Sequence, residues 1–236
     1  MVEGNTTASA QSALQALGKP ILSNVASISM DLHRPFETAA RREVGATKIV
    51  FDPFHVVKLG NEAMEQVRRG EATYYLSMKD REGAKMLKSA RYSLLRSPAN
   101  QKGRSREAVA NIGDWFYQTG EAYKLKEGLR IYHELPDAET ARAHLKEWID
   151  WAARSTLAPM KKLSKTINKR LDGIVRIFEL GVTNAAAESL NARIQAVRIK
   201  SRGHRNFEAF RNSVLFHLGG LDLYPKHADI SGMVSA

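Results

Sequence analysis

The sequence predicts a mixed α/β chain that is mostly helical, with one short strand–helix–strand unit near the N-terminus. Two apolar runs predict the unit. Apolar and polar residues alternate from Val25 to Met30, and Ile49-Val50-Phe51 forms a compact apolar run; each run ends in an aspartate, Asp31 and Asp52. Such runs are the signature of half-buried and buried strands. The rest follows from periodicity: from His55 to about Arg176, apolar residues recur three or four positions apart and no strand-like run interrupts them.

Taken in order, the first ten residues are small and polar and are expected to fray. Leu14 and Leu17 with Ala13 and Ala16, closed by Gly18 and Pro20, predict a short helix. Pro35 opens a helix through Val44 with Phe36, Ala39, Ala40 and Val44 on one side, and Gly45 ends it. Pro53 stops the second strand, so the unit should be a right-handed crossover between parallel strands. The helical block reads as Val56/Leu59/Met64/Val67, Tyr92/Leu94/Leu95, Tyr123/Leu125/Leu129/Tyr132, Leu145/Trp148/Ile149/Ala152 and Leu163/Ile167/Leu171. Its breaks are expected at Gly70, Ser97-Pro98, around Gly113, Pro136-Asp137 and Pro159, and Trp115, Trp148 and Trp151 are expected in its core. Thr183 or Asn184 can cap a further helix running to about Arg202. Gly203 ends that helix, Asn206 starts another with Phe207, Phe210, Val214 and Leu218 inward, and Gly219-Gly220 closes it.

Composition narrows the function classes. The 236 residues are 43% hydrophobic and 26% charged, enough to build a core. The chain has no Cys, which removes thiolate metal sites, thiol catalysis and disulfides and suits a reducing cytoplasm. No signal-peptide pattern and no apolar run near the roughly 20 residues of a bilayer span occurs, so no membrane partner is expected. The net charge of +11 favours a polyanion partner. Twelve basic and four acidic residues lie between Lys161 and Arg211, which concentrates eight of the eleven net charges there. A charge run is equally what a solvated helix face looks like.

Candidate chemistry lies in two places. In an open parallel sheet the functional crevice lies beyond the carboxyl ends of the strands, where Asp31 and Asp52 stand; each also reads as an ordinary cap or turn residue. On the helix after Gly181, Asn184, Glu188, Asn191, Gln195, Arg198 and Arg202 share a face, with Ala187, Leu190, Ile194 and Val197 opposite. A carboxylate among amides and guanidinium groups suits a metal or phosphate crevice, and a solvent-facing polar stripe has the same spacing.

Several ordered motifs carry a resemblance. Ser29-Met30-Asp31, followed after a helix by Phe51-Asp52-Pro53-Phe54-His55-Val56-Val57-Lys58, resembles the middle of bacterial insertion-sequence transposases of the DDE type. Thr183 to Ile194, Arg202-Gly203-His204-Arg205-Asn206-Phe207 and Leu218-Gly219-Gly220-Leu221 resemble that family's terminal catalytic helix and the segment after it. Glu121 to Glu127 and Trp148-Ile149, with Ser155 and Pro159, are similar to its helical insertion.

The resemblance implies an α/β ribonuclease-H-like catalytic core interrupted by a large all-α insertion. Its divisions would be a frayed start with a short helix (1–20), a partial ribonuclease-H-like unit (21–58), the insertion (59–176), the terminal catalytic helix with the helix after it (177–224), and a loose tail (225–236). It implies two Asp and one Glu holding magnesium (Mg2+) or manganese (Mn2+), hydrolysis of a DNA phosphodiester, and joining of the freed 3′ hydroxyl to target DNA. Hard oxygen ligands suit magnesium, and a metal pair stabilises both attacking and leaving oxygens. Matched residue by residue, Asp31 falls on the second acid and Glu188 on the third, both as catalytic and metal-binding residues. Asp52, His55, Asn184 and Asn191 fall on supporting positions, with Asp52 as second acid the alternative; a turn histidine held by hydrogen bonds is the other reading of His55. DNA contacts are expected from Arg193, Arg198, Lys200, Arg202 and Arg205. The family's first Asp lies on an earlier strand, and here only Glu3 precedes Asp31 among acidic residues. The expectation is therefore the C-terminal part of a transposase, truncated before its first acid and its element-recognition region, with a homodimer or a full-length relative as protein partner. A catalytically silent DNA-binding remnant and a plain helical interaction domain are the competing readings.

Overall fold

In a computed structural model, the structure describes residues 2–181 and 185–220, without the side chains of 185–188. The described residues form two compact units, one built from 6–181 and the other from 185–220 together with 2–5.

In the larger unit, α1 (Thr7–Gln15) begins earlier than the small, polar composition suggests, because Thr6 Oγ1 accepts from Ser9 N at 3.1 Å and caps it. Pro20 does not simply stop that helix; it sits in the first turn of α2 (Lys19–Asn24), where its missing N–H costs nothing. The strand–helix–strand unit is present: β1 (Ile28–Met30), α3 (Arg34–Glu43) and β2 (Ile49–Phe51), with the strands parallel in the register Ile28↔Ile49, Ser29↔Val50, Met30↔Phe51. β1 is three residues long rather than six. Gln11 and Gln15 both donate to Glu43 Oε1, at 2.7 and 2.9 Å, and tie α1 to α3.

Next, α4 runs unbroken from Pro53 to Ser77, through Gly70 where a break is expected. Glycine is only a weak helix breaker at about 1 kcal/mol, and buried Met64, Val67 and Ala72 on either side keep the helix on the core. Then come α5 (Arg81–Ser89), α6 (Arg91–Leu95), α7 (Arg104–Trp115), α8 (Tyr117–Ile131), α9 (Ala138–Arg154) and α10 (Ala158–Leu180). The break expected near Gly113 falls at Phe116, whose extended backbone separates α7 from α8. Buried Glu71 on α4 accepts from Gln118 N at 3.2 Å and Thr119 N at 2.8 Å, satisfying the first donors of α8. Pro159 lies in the first turn of α10, and Gly181 ends that helix in the left-handed conformation.

Of the three tryptophans, Trp148 is in the core and donates Nε1–H to Leu125 O at 2.7 Å. Trp115 is 70% exposed and Trp151 40% exposed, which corrects the expectation that all three pack inward. The core runs from Phe51 and Ile49 of β2 through α4, α8 and α9 to α10. A Cβ on Gly173 would stand 2.8 Å from the Phe51 ring, so glycine is what lets α10 close onto β2.

The second unit contains α11 (Ala185–Lys200) and α12 (Phe207–Leu218). The helix α11 stops two residues short of Arg202, because Arg202 and Gly203 take consecutive positive φ values of 52° and 106°. On its expected apolar side Val197 is buried, but Leu190 is 47% exposed. Asn206 caps α12 by accepting from Ala209 N at 2.8 Å, and Val214 is buried.

Candidate functional site

The parallel register brings the ends of β1 and β2 level, and Asp52 N donates to Met30 O at 3.1 Å just beyond the last residue pair. Asp31 and Asp52 therefore leave the sheet at the same, carboxyl end. Their duties differ. Asp52 is buried and is the N-cap of α4: its Oδ1 accepts from Phe54 N at 3.0 Å, and its Oδ2 lies 3.1 Å from His55 Nδ1. An Asp52 acceptor favours the His55 tautomer with its hydrogen on Nδ1. Asp31 is half-buried and caps no helix; its Oδ1 accepts from His33 N at 3.1 Å in a local turn, and His33 takes the N-cap position of α3.

An open pocket of about 180 Å³ adjoins Asp31 and is lined also by His33, His55, Lys58 and Glu62. His33 Nδ1 is buried with no hydrogen-bond partner among the described residues, and the ring stands edge-on to Phe36 with centroids 4.7 Å apart. Carboxylate oxygens are the donor type a magnesium ion takes. Among the described residues, no three His, Asp or Glu side chains gather closely enough to hold a metal ion.

The basic candidates lie in the second unit. Arg193, Arg198 and Lys200 on α11 are exposed, as are Arg202 and Arg205 on the turn to α12 and the supporting candidate Asn191. Arg193 and Lys200 line a pocket with Val197, His217 and Leu218, so two cations flank an apolar floor. Asn184 and the side chain of Glu188 lie outside the described residues. No described helix is long and apolar enough to cross a membrane.

The sequence profile of the ISL3-type DDE family, described as transposase, matches residues 1–214. The chain belongs to this transposase family. It is similar to the transposase for insertion sequence element IS1001 of Bordetella parapertussis, at 23% identity over 212 residues, covering 88% of this chain and 51% of that protein. It is also similar to the transposase for insertion sequence element IS1557 of Mycobacterium tuberculosis, at 28% identity over 188 residues, covering 72% of this chain and 42% of that protein. The chain thus spans about half the length of the curated relatives it matches. No solved structure matches it.

In this transposase chain the structure brings Asp52 and His55 into contact and sets Asp31 and His55 on one pocket. His33, Lys58 and Glu62, which line the same pocket, are not among the candidate site residues, although Lys58 closes the motif that begins at Phe51. A signal for two of them exists: Lys58 and Glu62 follow His55 by three and seven positions, one face of α4, but a search for apolar periodicity passes over a polar stripe.

Proposed function

We propose that this chain is part of a DDE transposase that acts on DNA, with Asp31 and Glu188 as two of its metal-binding acids and Asp52, His55, Asn184 and Asn191 in support. The observation that carries this reading is the division of labour at the strand ends: Asp52 is committed to its cap and to His55, whereas Asp31 stands beside an open pocket at the carboxyl end of a parallel pair. In the proposed layout the unit around β1 and β2 (21–58) belongs to a ribonuclease-H-like core, residues 59–176 supply the helical insertion, and α11 is the terminal catalytic helix. Magnesium or manganese, held by Asp31 and Glu188, would supply Lewis-acid stabilisation at the phosphate. Asp52 fixes the His55 ring at the pocket rim, and Arg193, Arg198, Lys200, Arg202 and Arg205 hold the DNA backbone. The absence of Cys supports a cytoplasmic place of action.

The test needs no catalysis. Iron(II) loaded in place of magnesium, with ascorbate, cuts the polypeptide near its binding site. Backbone cleavage is expected close to both Asp31 and Glu188, and to vanish in Asp31→Asn and in Glu188→Gln. Cleavage near only one of the two, or cleavage that survives both substitutions, would overturn the reading.

A further inference from the structure

Alongside β2, Arg41 of α3 and Lys169, Arg170 and Arg176 of α10 line a second pocket of about 170 Å³, together with Thr47, Ile49, Phe51 and Asp172. We propose that this cleft, continued along α10 by Lys165, Lys162 and Lys161, is a second binding track for the phosphodiester backbone of duplex DNA. The inference rests on the reading that the chain acts on DNA and adds a surface on the larger unit that the basic residues of α11 do not include.

Three of the four cations are pinned in place, Arg41 by donating Nε–H to Glu37 Oε1 at 2.9 Å. Arg170 is nearly buried: its Nε and Nη2 lie 2.7 Å from Glu37 Oε2, and its guanidinium stands 5.8 Å from the Phe51 ring centroid. Arg176 donates Nη1–H to Ile49 O at 2.5 Å and to Ala46 O at 3.2 Å, while its Nε and Nη2 find no acceptor among the described residues. A guanidinium whose plane is fixed by backbone carbonyls loses little entropy when its outward N–H groups meet a phosphate.

The two carboxylates nearby do not cancel the charge. Glu37 is buried and shared between Arg41, through Oε1, and Arg170, through Oε2, which leaves one positive charge in excess in that group. Asp172 is engaged by Arg142 at 2.6 Å from the neighbouring helix α9. Lys161, Lys162, Lys165 and Lys169 are all exposed, with no salt bridge among the described residues.

The length argues for a polymer rather than a single phosphate. Lys162 and Arg176 are fourteen positions apart on one continuous helix, or about 21 Å at about 1.5 Å per residue. That equals about six steps of a DNA strand at about 3.4 Å each. Charges strung over such a distance recognise an extended polyanion.

The experiment measures the affinity of the 236-residue chain for a fluorescent duplex of random sequence as a function of salt. Three double variants are compared: K165A/K169A in the track, K85A/K88A on exposed positions of α5 with the same change in net charge, and R198A/K200A on α11. The K165A/K169A chain is expected to show a slope of log affinity against log salt shallower by about 1.8, at about 0.9 for each phosphate no longer neutralised, with unchanged helical circular dichroism. The K85A/K88A chain should keep the parent slope. Equal behaviour of K165A/K169A and K85A/K88A overturns the track. If the parent binds duplex and only R198A/K200A flattens the slope, the track fails and the DNA-acting reading stands. If the parent binds no duplex at low salt, both fall.

Discussion

The amide N–H of Asp52 donates to the carbonyl oxygen of Met30 at 3.1 Å, which ties the residue before Asp31 to Asp52 across the sheet. Two aspartates held by one sheet end nevertheless carry different loads. Removing the Asp52 carboxylate strips an N-cap from a 25-residue helix and a partner from His55. Asp52→Ala should cost about 1 kcal/mol, the usual value of a cap, and lower the melting temperature by about 2–4 °C. Asp31→Asn should stay within about 0.5 kcal/mol of the parent, since only a turn hydrogen bond is at stake. Thermal unfolding followed by circular dichroism separates the two, and an equal loss in both would make Asp31 a structural residue.

Gly173 is the contact point between α10 and the sheet. An alanine there would gain about 1 kcal/mol of helix propensity, but its methyl would stand 2.8 Å from Phe51 Cδ2 and Cε2 and 3.3 Å from Ile49 O. Overpacking of a closed interface typically costs about 1–3 kcal/mol, so Gly173→Ala should destabilise on balance, by about 1 kcal/mol, read as a lower urea midpoint. In a double-mutant cycle with Phe51→Leu, which removes the clashing ring atoms, the combined loss should be smaller than the sum.

These two sites also show how far the sequence can be read. The Ile49-Val50-Phe51 run is short, wholly apolar and bounded by Asp-Pro, and it forms a buried strand with the boundaries expected. From Val25 to Ser27 the alternation is equally good, yet those residues lie outside β1, because a strand extends only as far as its neighbour and β2 is three residues long. Gly70 misleads for a similar reason: tertiary burial on both sides outweighs one residue's propensity. In the candidate site, Asp31, Asp52 and His55 are legible because strand ends and turn chemistry are local signals. Lys58 and Glu62 share a face of α4 with His55, a polar spacing that apolar periodicity passes over, and His33 joins them only in the folded pocket, which no local pattern records. The basic cleft at Arg170 and Arg176 is visible in the sequence only as a count of charges.

Acid should find the structure's dependence on Glu65. The hydrogen bonds from Arg68 at 2.7 Å, followed by that from Arg69, outweigh partial burial and hold the Glu65 carboxyl at about 2, against 4.5 for an ordinary glutamate. A carboxyl depressed in the folded state contributes stability that is complete above about 4.5 and is lost as the pH falls toward about 2. The linkage ceiling is about 3 kcal/mol, and solvent at the edge of the cluster reduces it to about 1–2 kcal/mol. Glu65→Gln should therefore be less stable than the parent by that amount near neutral pH, and the two urea midpoints should converge as the pH falls below about 3. A gap that stays constant down to that pH would show that the loss comes from packing rather than from charge.

Trp148 and Trp115 make the sharpest contrast in the helical block. Trp148 shares a face of α9 with Leu145, Ile149 and Ala152 and gives its indole N–H to the Leu125 carbonyl of α8. Trp148→Ala should cost about 3–5 kcal/mol, the price of a large core cavity, whereas Trp148→Phe keeps most of the ring and loses mainly one hydrogen bond, about 1 kcal/mol. Trp115 ends α7 and is 70% exposed, so Trp115→Ala should fall within about 0.5 kcal/mol of the parent. Urea unfolding of the three variants orders them. A large loss in Trp115→Ala would mean that its ring is covered in solution by something beyond the described residues, and a small loss in Trp148→Ala would mean that α8 and α9 can close over the void.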